Sequence, residues 1–150
     1  MKKFAFRLER LRELRERAER ARAAQLGAAL RAEQVRADEL QHAQGEFDRA
    51  GEQTVRAGQV GPLAAGLLRV FGLARVAASR RVHQAEESLE GARAEVESAQ
   101  QDYGDARRDL RIVEKLKEKR LGTWREEVSR DEQKESDGIA RDRRNTGERS

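Results

Sequence analysis

Few side chains in this sequence have the chemistry for catalysis. His42 and His83 are the two imidazoles among 150 residues, the groups best suited to move protons or bind metal near neutral pH. Neither has a second histidine or a carboxylate at clear metal-ligand spacing, and a zinc site wants three or four converging ligands. Both read as solvated helix positions. Gly61 and Gly66 have the separation of the two P-loop glycines, but Leu67 and Leu68 occupy the places of the Lys and the Ser or Thr. Without that ammonium and hydroxyl, nothing holds the β- and γ-phosphates or Mg²⁺. There is no Cys, hence no disulfide, thiolate metal site or catalytic thiol. The expectation is a non-enzyme with no catalytic residues, no cofactor, no metal and no small-molecule substrate.

Charge is the next candidate. Arg7, Arg10, Arg12, Arg15, Arg17, Arg20 and Arg22 crowd one end, but they alternate with Glu9, Glu13, Glu16 and Glu19. That alternation cancels much of the field a phosphate backbone would meet, and no aromatic platform accompanies it. A salt-bridged, solvated face is favoured over nucleic-acid binding. Residues 1–14 are amphipathic, yet a membrane-surface helix needs a less acidic polar face. Met1-Lys2-Lys3-Phe4 begins like a signal peptide, but Arg7, Glu9 and Arg10 interrupt any apolar region that should follow. The most apolar stretch, Val60 to Ala78, is broken by Arg69, Arg75 and glycines, which does not suit a span of ~20 residues. A soluble, cytoplasmic chain is expected.

The elements that carry these residues are helices. Charged residues make up 40% of the chain and aromatics 4%, with one Pro and a net charge of +4. That is the makeup of long helices or coiled coil, and it leaves too little apolar volume for a sheet-based enzyme. Stepping alternately three and four residues from Leu68 gives Phe71, Arg75, Ala78, Val82, Ala85, Leu89, Ala92, Val96, Ala99, Tyr103, Ala106, Leu110 and Val113. It continues through Lys117 and Arg120 to Trp124. This is an unbroken heptad seam. Five successive positions on one side of it, Ala78 to Ala106, are Ala, and small residues let two helices approach closely.

In the first half, Leu11, Leu14, Ala18, Ala21, Ala28, Ala32 and Val35 follow a less regular seam that shifts to Leu40, Ala43, Phe47 and Ala50. Glu13 to Arg17 and Glu16 to Arg20 are i,i+4 pairs in the favourable order. Gly58, Gly61 and Pro62 punctuate the chain, Gly as a helix cap and Pro at the first turn of the next helix. The fold class predicted is all-α: a long antiparallel two-helix coiled-coil hairpin. Helix one covers about 4–57, the turn 58–62 and helix two about 63–135, with a flexible C-terminal tail over 136–150. A turn centred near residue 60 sets Phe4 near Leu116. It leaves helix two overhanging by roughly 25–30 Å, with Leu121, Trp124 and Val128 lacking an intramolecular partner. At the other end Leu63, Leu67, Val70 and Ala74 form a second apolar stripe beside Leu68 and Phe71, more surface than one partner helix covers, which suggests docking.

These residues also resemble a known family. Lys3, Phe4, Phe6, Arg7, Leu8 and Leu11, followed by Leu14-Arg15-Glu16, are similar to the opening of the FliJ family of flagellar export proteins. Glu114 to Arg120 and Arg130 to Asp137 resemble its C-terminal signature. The resemblance covers about residues 2–143. It implies a non-catalytic stalk of a bacterial type III export apparatus, peripheral at the cytoplasmic face of the inner membrane. Its implied partners are a hexameric export ATPase, the cytoplasmic domain of the export-gate membrane protein, and export chaperones. The implied ATPase-binding residues are Phe4, Phe6, Leu8, Leu11, Lys115, Lys117, Lys119, Arg120, Leu121, Trp124 and Val128. Leu40, Phe47, Phe71, Ala78 and Val82 match gate-contacting positions, to which the tip adds Leu67 and Val70. Arg36, Ala43 and Arg75 depart from the family pattern there. The equivalent stalk of a virulence secretion system and a generic coiled-coil scaffold remain as alternatives.

Overall fold

Residues 3–59, 61 and 65–147 are described by a computed structural model. Two helices account for nearly all of them: α1, Glu9–Gly58, and α2, Ala65–Gly147. Among the described residues there is no strand. The fold is all-α, with two long helices packed antiparallel as the heptads predict. Spatial proximity divides the chain into two compact units, one of residues 1–19 with 106–150 and one of residues 20–105.

In the unit of residues 20–105 the packed seam is made of small side chains. Ala43, Ala50 and Ala57 of α1 are buried at heptad spacing, as are Ala78, Leu89, Ala92 and Val96 of α2. Alanine buries little area per residue, but it lets backbones approach and so multiplies weak dispersion contacts. Ion pairs flank the seam. Arg22 meets Asp102 at 3.3 Å, Arg93 meets Glu33 at 3.6 Å and Arg81 meets Glu46 at 3.3 Å. All are partly exposed, so each contributes at most about 1 kcal/mol. They fix register more than stability.

In the unit that joins residues 1–19 to 106–150, Phe6 and Val113 are buried. Glu9 and Arg15 of α1 pair with Lys117 and Asp109 of α2, each at 2.8 Å. These partners centre near residue 63 and not 60, so the register differs from the expected one. Phe4 therefore reaches Trp124 and not Leu116. The expected seam of α1 also differs. Leu11, Leu14 and Val35 are exposed, Leu14 at 57%, and Ala18, Ala21, Ala28 and Ala32 face outward with them. The half-buried positions of the first turns are Glu9, Arg12, Glu16 and Glu19 instead. Long charged side chains can lay their stems over apolar surface while their heads stay in water. Along the rest of α1 the covered positions are Leu26, Ala37, Leu40, Ala43, Phe47, Ala50 and Ala57, so the face that carries the larger apolar side chains is the one turned inward.

The helix ends follow local rules. The Glu9 amide donates to the Phe6 carbonyl at 3.0 Å, and Glu9 places a carboxylate in the first turn, where the helix dipole favours it. After Gly58, Gln59 donates to the Arg56 carbonyl at 3.1 Å, and Gly61 has φ of 95°, a conformation cheap only for glycine. Pro62 and Leu63, expected in the turn and the tip stripe, lie outside the described residues. At its far end α2 runs on to Gly147, past the expected stop near Glu135. Its residues from 129 to 144 are all exposed, so packing within the chain does not hold it there, and i,i+4 charge spacings are the local support the sequence offers.

Candidate functional site

The residues expected to meet a partner fall into two groups, one in each unit. In the first, Phe4 and Trp124 stack at 5.8 Å between ring centroids with planes tilted by 57°. Such a tilted pair is a favoured aromatic geometry. Trp124 is thus half-buried within its own chain, which corrects the expectation that nothing in the chain meets it. Leu121 and Val128 are half-buried as well. The overhang begins beyond Val128, because the register brings the N-terminal segment further along α2 than a turn at residue 60 would.

Beside this stack Glu9 accepts a hydrogen bond from Lys117 Nζ at 2.8 Å and one from Arg12 Nε at 2.8 Å. The Lys117 ammonium first, then the Arg12 guanidinium, hold the Glu9 carboxyl below its ordinary range. Arg12, Glu114, Lys117, Glu118 and Leu121 line a shallow groove with an apolar floor. Lys115, Lys119 and Arg120 stand exposed next to it, as does Leu11, while Leu8 is half-buried. Phe6 is buried and acts as core, with little surface left for a partner. This unit carries 21 Lys and Arg against 15 Asp and Glu, while the other carries 11 against 13. The basic character of the chain is concentrated here.

In the second group, Arg75 lies 5.2 Å from the centroid of the Phe47 ring, a cation–π contact worth ~0.5–1 kcal/mol at such a site. Arg75 departs from the family pattern, yet it fills the seam position with a guanidinium stacked on an aromatic face. Leu40, Phe71 and Val82 are half-buried. Ala78 is only 3% exposed and packs within the seam. Leu67 and Val70 are open to solvent. Two neighbours absent from the expected set, Leu73 and Val76, are as bare, Leu73 at 66%. A signal for them was present in the sequence: no Asp or Glu occurs between Glu52 and Glu86. His83, in contrast, pairs with Glu86 at 3.3 Å on the surface.

The family model described as "Flagellar FliJ protein" matches residues 3–149. No curated protein and no solved structure matches the chain. With an all-helical fold of two long paired helices and a match over nearly its whole length, the chain belongs to the flagellar FliJ family and to flagellar protein export.

Proposed function

We propose that the chain is a non-catalytic stalk of the flagellar type III export apparatus, working at the cytoplasmic face of the inner membrane. It binds the hexameric export ATPase through the unit holding both ends of the chain and the cytoplasmic domain of the export gate through the other, and it assists export chaperones. The observation that carries this reading is the family match over residues 3–149. The ATPase surface is the exposed basic row of Lys115, Lys119 and Arg120 beside the Phe4–Trp124 stack, suited to an acidic rim. The gate surface is Leu40, Phe47, Phe71 and Val82, extended by Leu67 and Val70.

Pull-down with the organism's own export ATPase tests the first contact. Trp124 is the sole tryptophan, so its emission reports the site. It starts partly shielded by Phe4 and should shift further to the blue when ATPase is added. Charge reversal of Lys115, Lys119 and Arg120 should lower the stimulation of ATP hydrolysis while helicity is kept. Unchanged emission together with unchanged stimulation in that variant would exclude this surface as the ATPase contact.

A further inference from the structure

Along Gly66–Ala77 the side chains are apolar except for Arg69 and Arg75, and only Phe71 and Gly72 of these twelve residues are not exposed. At 100° per residue, Leu67, Val70, Leu73 and Val76 span an arc of about 180° on the face turned away from α1. A helix that is apolar around most of its circumference is normally buried, yet Val70 is 60% exposed. On α2 itself the surroundings of this arc are cationic, and on α1 Glu46 answers Arg81 at 3.3 Å. From residue 53 to residue 85 there is no carboxylate, while Arg56, Arg69, Arg75, Arg80 and Arg81 are all present.

We infer that this tip of α2 lies in the headgroup region of an anionic phospholipid bilayer. A single packed helix covers a stripe of about 100°, too narrow for the exposed arc. The boundary between headgroups and acyl chains covers a continuous half-cylinder. Arg69 and Arg80, which fall on the arc between Val76 and Leu73, extend their guanidinium groups to phosphates while their stems stay with the apolar face. The apolar run is about a dozen residues, an interfacial length, and no helix among the described residues is long and apolar enough to cross a membrane. A second copy is a poor occupant, since joining two tips would crowd their arginines with no carboxylate in residues 53–85 to answer them. The arc shares Leu67 and Val70 with the proposed gate surface, so the test is placed on Leu73 and Val76, which lie outside that surface and are exposed.

Flotation of the full chain with vesicles tests it. Vesicles of phosphatidylcholine mixed with phosphatidylglycerol should carry the protein roughly tenfold better than phosphatidylcholine alone. Leu73→Gln with Val76→Gln should abolish flotation on both vesicle types, and Arg69→Gln with Arg80→Gln should remove the preference for the anionic ones. These positions are exposed, so circular dichroism should show both variants as helical as the parent. The inference is overturned by any of three results. One is no flotation on anionic vesicles at low salt. Another is full binding by the Leu73→Gln, Val76→Gln variant, which would assign lipid attraction to the basic unit. The last is concentration-dependent self-association of the parent that the same variant abolishes.

Discussion

The two ends of α2 are both bare, but they differ in what they expose. Its first three turns present Leu67, Val70, Leu73 and Val76 to water. Its last turns, from residue 129 onward, present Arg130, Asp131, Glu132, Lys134 and Glu135. The far end is rich in charge, with i,i+4 spacings such as Glu126 to Arg130 and Asp137 to Arg141, and apart from Ile139 its long exposed side chains are ones that water can solvate. The near end gains nothing from water. The lesson is that exposure alone does not mark an interaction surface; exposed apolar area does. Between these ends lies the packed stretch from Ala78 to Val113, where the same helix buries Ala78, Leu89, Ala92, Val96 and Val113.

The strongest way to break this contrast is to truncate one leucine from each region. Leu89 is 6% exposed, and Leu89→Ala should cost about 2–5 kcal/mol in urea unfolding, the range for buried leucine. Leu73→Ala should stay within about 0.5 kcal/mol of the parent. Equal losses would mean that the tip is packed in solution. A second pair concerns room, not area. Ala92→Leu should destabilise by about 1–3 kcal/mol through overpacking, while Ala77→Leu, on the open face, should leave the unfolding midpoint unchanged or slightly raised. An Ala92→Leu variant as stable as the parent would show that the alanine seam is not close-packed.

Smaller effects sharpen the picture of the basic unit. Phe4→Ala should red-shift Trp124 emission and cost the ~0.5–1.5 kcal/mol of an aromatic pair plus its buried area; an unmoved spectrum would show that the rings do not stack in solution. The smallest effect is a pH dependence. Because Lys117 and Arg12 depress the Glu9 pKa in the folded chain, this pair's stabilisation is fully present above the ordinary carboxylate range. It is lost as pH falls through the lowered value. Melting temperatures followed from neutral pH into acid should drop less steeply in Lys117→Met than in the parent. Parallel curves would remove Glu9 from the acid limb.

How much of this was legible in the sequence depended on side-chain size. The seam of α2 could be read directly because Leu89, Val96 and Val113 recur in step with the alanines, so period and face agree. The face of α1 could not. Its alanines point in several directions and each contributes little on burial, while the covered face runs through Leu26, which the expected seam did not include. The register differs from the expected one by a few residues, which brings Trp124 from an unpartnered overhang into contact with Phe4. The tip was half legible. Leu67 and Val70 were found by period, but Leu73 and Val76 lie on a face that no heptad predicts, and the absence of carboxylates from 53 to 85 was the cue for it. α1 ends at Gly58, whereas α2 runs on past Glu135 and through Gly138 to Gly147, an extension that the Ser136-Asp137-Gly138 run did not announce.

The antiparallel ladder also constrains how such a chain can change over generations. Each pair, Glu9 with Lys117, Arg15 with Asp109, Arg22 with Asp102 and Glu46 with Arg81, is set by counting outward from one bend. An insertion in one arm alone would slide every pair on the distal side out of step and rotate each seam away from its partner. Within the paired stretch, length can therefore drift only by compensated steps, seven residues gained or lost in one arm and seven in the other, while the overhang beyond Val128 is free of that constraint.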